Sequence, residues 1–239
     1  FSAIVETTAE ATITGLVNST KYFAYVRSVQ DNGNGAWGNT NFRTECGLSA
    51  APFTEDWEGY AASAGSLAET CYEQTNGAQV AGSSSPNATV KTGQVIKFNA
   101  TSTNKEPMVV FPVLDKPIKT LQLTMNASPY TSSYVGDASY TEIGVLEGDL
   151  AGEHTFVKIA EYRFNLSDVK AWDECFVNFG TYTGEGGRIA IRSIYQNSKT
   201  THICFDNVVI EQIPLCGRIT SIDVTEIDSI SAKIAWEKG

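Results

Sequence analysis

The sequence predicts an all-β protein built around a two-sheet β-sandwich of the jelly-roll type. Short segments with alternating apolar residues follow one another, separated by turn residues at the intervals usual for a sandwich. Helical periodicity is almost absent: the Ala-rich stretch 60–73 is interrupted by Gly65 and predicts a weak helix or a loop. The alternating segments of the middle region are GQVIKFNAT, EPMVVFPV, IKTLQLTMNAS, TEIGVLEG, TFVKIAEYRFN, CFVNFG, GRIAIRSI and HICFDNVVIE.

Composition and charge argue against two classes of partner. The 239 residues include 27 acids and 17 bases, which gives a net charge of −10. Nucleic-acid binding requires clustered Lys and Arg to replace counterions, and no such cluster occurs in the sequence. The longest apolar stretch, MVVFPVL, is too short to cross a bilayer. We therefore expect no nucleic-acid partner and no membrane insertion.

The start of the sequence and its cysteines suggest where the protein is located. The sequence opens at Phe1 with no initiator Met and no signal peptide, so we expect a piece of a longer protein. Five cysteines without C-x-x-C spacing are a poor zinc or redox set. They suit an oxidising compartment, in which disulfides persist. These features predict a protein that is secreted or displayed at the cell surface.

In the first piece, residues 1–45, the spacing of Leu16, Thr20, Tyr22 and Val26 is that of a tyrosine corner, in which a Tyr bonds back to upstream backbone. This piece therefore resembles the C-terminal half of a fibronectin type III domain. A β-meander with a chance Tyr is the alternative. The last piece, residues 215–239, resembles the first two strands of another such domain, with Trp236 ending the second strand.

Two incomplete sandwiches therefore flank a middle domain, residues 46–214. A half sandwich leaves one face uncovered and one edge unpaired. We expect the flanks either to belong to two different sandwich domains or to pair with each other as one sheet. The second arrangement requires the two ends of the middle domain to lie close together, as domain termini often do.

The middle domain has APFTEDWEGY at its start, TFVKIAEYRFNL and AWDECFVNFGTYTGEGGRIAIRS in its second half, and ICFDNVVIE at its end. In these motifs it resembles the jelly-roll modules of Bacteroidetes surface proteins, including the cleaved-adhesin domains of gingipains and the related MAM-like sandwiches. One departure is Cys71-Tyr72, where the family usually has Cys-Trp. The resemblance implies a non-catalytic binding or adhesion module of a multi-domain protein. The alternative is a carbohydrate-binding accessory module of a secreted glycoside hydrolase or protease.

Catalysis has little support in the sequence. His154 and His202 lie in a turn and at the start of a strand, and no G-x-S-x-G motif occurs. The adjacent acids Glu55 and Asp56 suggest glycoside hydrolysis, but that chemistry requires a second acid opposite the first. We therefore expect no enzymatic activity.

Aromatic residues are the candidates for ligand contact, because sugar rings stack on aromatic faces in many sandwiches. We assign Tyr130, Tyr134 and Tyr72 to a possible binding surface, with Tyr60, Tyr140 and Tyr182 as further candidates. Partners of this kind are a glycan, a host or cell-surface protein, and neighbouring modules of the same array. The alternative is that these tyrosines only pack in strands and turns.

The acid in the closing strand suggests a structural calcium ion. A carboxylate inside a strand is costly unless it is paired, hydrogen-bonded or bound to a metal. In the resembling families, the closing acid and the Glu of the opening Trp-Glu motif hold calcium with backbone carbonyls. Carried over, this points to Glu58 and Asp206, with Asp56 as a weaker ligand. The alternative is that Asp206 and Asn207 only bond to backbone.

For the cysteines we favour a Cys46–Cys71 disulfide, which closes a short loop around the opening segment. A loop of about 25 residues stabilises the fold by roughly 3 kcal/mol in the chain-entropy model. Cys216 then awaits a partner outside this sequence. Cys175 and Cys204 can pair only if their strands are neighbours, and are otherwise buried thiols.

Overall fold

The computed structural model is built from strands joined by turns, as the alternating pattern predicts. It describes residues 10–63, 65, 67, 70–82, 93–129, 140–163, 172–196, 200–216 and 219–238. The described residues of the Ala-rich stretch form bends and turns up to Tyr72, in agreement with the loop interpretation, and Glu73 begins a short strand.

The N-terminal flank contains two small antiparallel sheets. Its strands are β1 (Lys21–Val26), β2 (Val29–Gln30), β3 (Gly33–Asn34) and β4 (Gly38–Arg43), with β1 paired to β4 and β2 to β3. The Tyr22 hydroxyl accepts a hydrogen bond from the Val17 backbone N–H at 2.8 Å. This is the upstream bond that the tyrosine-corner spacing predicts.

The middle region forms two facing sheets. Its strands are β5 (Phe53–Glu55), β6 (Glu73–Gln74), β7 (Ala78–Gly82), β8 (Gln94–Ala100), β9 (Met108–Val110), β10 (Leu121–Pro129), β11 (Tyr140–Gly148), β12 (His154–Arg163), β13 (Asp173–Asn178), β14 (Arg188–Ser193) and β15 (Thr201–Gln212). One sheet has the order β13-β10-β15-β8-β7, with β5 also paired to β15. The other has the order β12-β11-β14-β9-β6. Short 3₁₀ turns lie at Ile118–Thr120 and Phe179–Thr181.

The strand order is that of a jelly roll. From β8 to β15, the order β8-β15-β10-β13 in one sheet faces β9-β14-β11-β12 in the other. All eight segments predicted as strands form these eight strands. The all-β jelly-roll prediction is therefore confirmed.

The largest apolar cluster of the described residues lies between the two sheets. The inward side chains of both sheets meet in it, because alternate residues of each strand face the partner sheet. Its largest fully buried members are Trp57, Phe98, Phe111, Phe179 and Phe205. Cys175 belongs to this core, and Cys204 is buried on the other side of its sheet. Both are free thiols on strands separated by β10, which agrees with the buried-thiol expectation.

The closing strand β15 contains a β-bulge at Asn207. Thr124 of β10 pairs with Val209, and Asn126 pairs with Asp206, so β15 has one extra residue between these pairs. Asn207 has a φ of 51°, a left-handed conformation that Asn tolerates better than most residues. The Asp206 carboxylate accepts the Asn207 backbone N–H at 2.7 Å. The Asn207 side-chain amide donates to Asn126 Oδ1 at 3.2 Å.

The bulge keeps all the apolar residues of β15 on one face. Ile203 and Phe205 precede it at odd positions, and Val208 and Ile210 follow it at even positions, yet all four are buried in the same core. Without the extra residue, the second pair would face outward. At Asp206 and Asn207, the inward-facing residues of the strand therefore change from odd-numbered to even-numbered positions.

The C-terminal flank is a separate hairpin of β16 (Ile219–Thr225) and β17 (Lys233–Lys238). Among the described residues, the strands of the two flanks lie in separate sheets and do not pair with each other. The division into 1–45, 46–214 and 215–239 and the fibronectin type III assignment of the flanks stay predictions.

Asn207→Ala tests the bulge. We expect the free energy of unfolding to fall by about 1–2 kcal/mol, because alanine tolerates the left-handed backbone poorly and loses the bond to Asn126. Asn207→Gly loses the same bond but accepts the backbone, so its loss should be smaller. Urea denaturation measures both changes. A glycine variant as unstable as the alanine variant would contradict the backbone explanation.

Candidate functional site

The opening strand β5 brings an acid into the sandwich. Phe53 and Glu55 are two residues apart and therefore share a face of the strand. They pair with Ile210 and Val208 of β15, both of which belong to the core. The Glu55 side chain consequently lies on the inward face of the strand, where it is half-buried.

A tight turn after β5 places a tryptophan beneath this acid. Trp57 has a φ of 62° and is 1% exposed. Its backbone N–H donates to Glu55 Oε1 at 2.8 Å, and the next amide, that of Glu58, donates to Asp56 Oδ1 at 3.2 Å. Two consecutive side-chain carboxylates thus fix the turn that buries the indole ring.

The Cys46–Cys71 disulfide brings a second segment to the same place. The two Cα atoms are 5.6 Å apart, within the range of ordinary disulfides. This is the pairing that the sequence analysis favours. Since Tyr72 follows Cys71 directly, the bond holds the Tyr72 ring beside the opening segment.

Two tyrosine hydroxyls meet at one oxygen of Glu55. The Tyr72 hydroxyl donates to Glu55 Oε2 at 2.5 Å, and the Tyr60 hydroxyl donates to the same atom at 3.3 Å. With the Trp57 amide, the carboxylate accepts three hydrogen bonds. Glu55 is half-buried, and a carboxylate in such a place is tolerated when its oxygens are satisfied in this way.

Burial and the Glu55 charge keep both phenols protonated. Burial is the larger cause of a raised pKa of Tyr60, to about 12, and the neighbouring carboxylate raises it further. The same two causes, in the same order, raise the pKa of Tyr72 above its ordinary range. Both hydroxyls therefore remain donors to Glu55 across the physiological pH range.

The rings form an aromatic wall around the acid. Tyr72 lies 5.3 Å from Trp57, 5.6 Å from Phe111 and 6.1 Å from Tyr60, measured between ring centroids. The interplanar angles are 51° to 86°, the tilted and edge-to-face arrangements that aromatic pairs prefer. The Tyr72 ring is central to this cluster and is buried.

A pocket of about 320 Å³ opens beside this cluster. We call it the Glu55 pocket; its lining residues are Ser19, Arg43, Phe53, Glu55, Tyr60, Thr70, Cys71, Tyr72 and Pro112. Arg43 donates to the Ser19 backbone oxygen at 2.6 Å, so the N-terminal flank supplies one wall. The pocket combines ring faces, a carboxylate and a guanidinium, and its volume lies at the lower end of the range for ligand pockets.

A larger groove of about 720 Å³ lies between the loop at 112–119 and the hairpin loop at 184–188. Tyr182 lines it, and its hydroxyl donates to Glu147 Oε1 at 2.6 Å and contacts the Gly186 oxygen at 2.5 Å. Burial and Glu147 raise the pKa of Tyr182 to about 12. Tyr182 is itself buried, so this groove offers a ligand no exposed aromatic ring among the described residues that line it.

The structure describes only one of the three tyrosines that the sequence analysis assigns to a binding surface. Tyr72 lines the Glu55 pocket, whereas Tyr130 and Tyr134 lie outside the described residues. Arg43 was not singled out by the sequence, because it lies in a different piece of the chain. The sequence does hold a signal for Glu55, since its alternation with Phe53 puts an acid on the inward face of a strand.

The predicted calcium ligands lie around one gap in the six-stranded sheet. Along one edge of β15, β8 pairs as far as Phe205, and β5 pairs from Val208 onward. Asp206 and Asn207 fall between these two partners. Glu58 Oε1 accepts the Gln94 backbone N–H at 2.9 Å, at the start of β8.

Each of the three carboxylates is already engaged with backbone at this gap. Glu58 accepts from Gln94, Asp206 from Asn207, and Asp56 from Glu58. Within the described part of the chain, no group of three or more His, Cys, Asp or Glu side chains has an arrangement that holds a metal ion. Glu58 and Asp206 thus border the same gap, but the described residues place no third acid with them to form a metal site of carboxylates alone.

Neither a family model nor a curated protein matches the chain. Among solved structures, it is similar to the K1 cleaved-adhesin domain of Lys-gingipain from Porphyromonas gingivalis W83. The TM-score is 0.46 at 13% identity, over 67% of this chain and 97% of that one. It is also similar to the CBM22-1 xylan-binding domain from Paenibacillus barcinonensis Xyn10C, with a TM-score of 0.43 at 11% identity, over 67% and 92% of the two chains. Similarity at this level carries no argument about family or function, which depend on the residues of the chain itself.

Tyr72→Phe tests the bond that anchors the pocket. The change keeps the ring and removes the shorter of the two phenol hydrogen bonds to the half-buried Glu55 carboxylate. We expect the free energy of unfolding to fall by about 1.5–3 kcal/mol, the usual range for a hydrogen bond to a charged group. Tyr60→Phe removes the longer bond and should cost less. Equal stability of the Tyr72→Phe variant and the parent in urea denaturation would contradict this assignment.

Proposed function

We propose that this chain is a non-catalytic binding module of a secreted or surface-displayed protein, and that the Glu55 pocket seats one sugar residue of a glycan. The observation that supports the proposal is the combination of an aromatic wall with a fixed carboxylate in a pocket of about 320 Å³. A sugar ring presents an apolar C–H face and several hydroxyls, and this pocket offers partners for both.

The hydrogen-bonding capacity of the pocket matches a hydroxyl-bearing ligand. An ionised carboxylate has about four acceptor sites. Glu55 uses three of them on Trp57, Tyr72 and Tyr60. One ligand hydroxyl can occupy the remaining site. The two phenol oxygens, which donate to Glu55, keep acceptor capacity for a second hydroxyl.

The same residues favour binding over hydrolysis. Most glycoside hydrolases place two carboxyl groups on opposite sides of the scissile bond. Glu55 is the single acid among the described residues that line the pocket, and neither His154 nor His202 lines it. Burial and the Lys97 charge lower the pKa of His202 to about 4, so it is neutral near pH 7. We therefore assign the chain no catalytic role.

The disulfide supports the cellular location that we propose for the protein. A disulfide such as Cys46–Cys71 persists in oxidising compartments and is rare in the cytosol. No helix among the described residues has the length and hydropathy to cross a membrane. Secretion or surface display, with glycans or cell-surface proteins as partners, is the setting that we propose.

Tyr60→Ala tests the binding proposal. Screening the full chain on a glycan array identifies a ligand, and calorimetry with that glycan measures the affinity. We expect Tyr60→Ala to weaken binding by about tenfold, the equivalent of about 1.4 kcal/mol. Tyr25→Ala, at an exposed tyrosine outside the pocket, is the matched control. A glycan that binds both variants equally would place the site elsewhere, and an array without binding would remove sugars as the ligand class.

A structural calcium ion at the gap beside Asp206 is part of the same proposal. Calcium takes six to eight oxygens and accepts carboxylates, amide oxygens and backbone carbonyls together. Glu58, Asp206 and the backbone carbonyls left unpaired where β8 and β5 end offer such a mixed set at the gap. Asp56, whose carboxylate is bound to the turn amide of Glu58, is the weaker ligand. The ion's role would be to join the ends of β5 and β8 to β15.

Calcium binding to the folded state should raise the melting temperature with free calcium. At a free concentration of 100 times the dissociation constant, the gain is about 2.7 kcal/mol. Asp206→Asn keeps an oxygen that can accept the Asn207 amide but removes the charge, so we expect it to lose the calcium response. Asp149→Asn is the control, since Asp149 accepts the Ala151 amide in an exposed turn. Identical melting curves of the parent protein in calcium and in chelator would rule out the ion.

A further inference from the structure

The wall of the Glu55 pocket that the N-terminal flank supplies is positively charged. Among the described residues that line the pocket, Arg43 is the single cation and Glu55 is the single acid. The Glu55 carboxylate bonds to the turn at Trp57 and to two tyrosines rather than to Arg43. The Ser19 carbonyl accepts a hydrogen bond from Arg43 Nη1 at 2.6 Å and so fixes the position of the guanidinium. A ligand in the pocket therefore meets a fixed cation and a separate fixed carboxylate.

Lys21 puts a second base beside Arg43, because the two residues are directly opposite each other in β1 and β4. Both lie on the side of this strand pair away from the stacked Tyr22 and Phe42 rings. Like charges that face each other across an antiparallel pair destabilise it. The Lys21 ammonium lies 5.8 Å from the Phe23 ring centroid, and no carboxylate of the described residues is within ion-pair distance of it. An anion bound at Arg43 would offset the repulsion between the two bases.

The charges at and beside the pocket sum to +1, since Lys21 and Arg43 add two positive charges and Glu55 adds one negative charge. This local excess of positive charge contrasts with the net charge of −10 of the whole chain. A neutral ligand leaves the local charge uncompensated, whereas a ligand with one carboxylate neutralises it. The guanidinium of arginine also presents paired N–H donors in one plane, which matches the two oxygens of a carboxylate.

From these features we infer that the sugar residue seated in the Glu55 pocket is a uronic acid. Its carboxylate binds Arg43, and one of its hydroxyls donates to Glu55. Its ring lies against the ring of Tyr60. A uronic acid suits this arrangement, because its carboxylate and its hydroxyls project from different edges of the sugar ring. The inference rests on the proposed function of the pocket as a glycan site and adds to it the acidic class of the sugar.

Matched pairs of ligands test the acid group. Calorimetry compares oligosaccharides of galacturonic, glucuronic and mannuronic acid with the same oligosaccharides after each carboxyl group has been reduced to a primary alcohol. We expect the parent protein to bind at least one of the acids about tenfold more tightly than its reduced form, as a hydrogen bond to a charged group implies. Added salt should weaken binding of the acid and leave binding of the reduced form unchanged, because salt screens exposed charges.

Three substitutions in the flank assign the preference to Arg43. Arg43→Gln should lower the affinity for the acid to that for the reduced form and leave the affinity for the reduced form unchanged. Lys21→Gln should lower the preference by only about threefold, because Lys21 acts through its field rather than by contact. Arg27→Gln is the matched control, since Arg27 lies over the Trp37 ring outside the pocket and its loss removes the same charge. This control should keep the preference of the parent protein.

The outcomes separate this inference from the proposal on which it rests. Equal affinity for the uronic acids and their reduced forms would overturn the acidic class and leave the pocket a glycan site. Tighter binding of a sulfated neutral sugar than of every uronic acid would also overturn it. Loss of both ligands in Arg43→Gln would show that Arg43 only holds the flank in place, and would contradict the contact. A glycan array on which no sugar binds would remove the proposed function and this inference together.

Discussion

The extra residue at Asn207 is the constraint on which the sandwich depends. β15 is the central strand of its sheet, with β10 on one side and both β8 and β5 on the other. Its core residues are at odd-numbered positions before the bulge and at even-numbered positions after it. The extra residue of the bulge is what lets both sets face the core. The side-chain bonds of Asp206 and Asn207 hold that bulge. Every strand that pairs with β15 takes its register from this point.

The acid of β5 is a second constraint, because it couples segments that are distant in sequence. The Glu55 carboxylate accepts hydrogen bonds from the Trp57 backbone N–H and from the hydroxyls of Tyr60 and Tyr72, and Tyr72 lies in the segment that the disulfide holds. Phe111, which follows β9 of the other sheet, packs against the same rings. A half-buried polar group thus specifies how the opening segment lies across both sheets, and the pocket opens beside it.

Local pattern predicted the strands well, because alternation is a property of neighbouring residues. β8 to β15 all follow from it. The break in alternation between Phe205 and Val208 is also visible in the sequence. The two polar residues at the break, Asp206 and Asn207, first suggest a metal ligand. The Glu55 pocket is harder to predict. Its walls come from Arg43, Tyr60 and Tyr72, whose meeting depends on a left-handed turn and a disulfide rather than on any local period. For Tyr130 and Tyr134, which lie outside the described residues, the sequence pattern alone supports a role.

The position of the disulfide determines how the domain carries mechanical tension. β5 pairs with β15 through only three residues, and pulling the two ends of the domain apart would separate such antiparallel strands one pair at a time. Cys46 and Cys71 enclose β5 within a covalent loop, so tension that enters at Cys46 passes through sulfur to Cys71 and then to β6. β6 belongs to the five-stranded sheet, and the chain leaves from β15 in the other sheet. A pull on the flanks is therefore applied across the packed core, and the weakly paired opening strand is shielded from it.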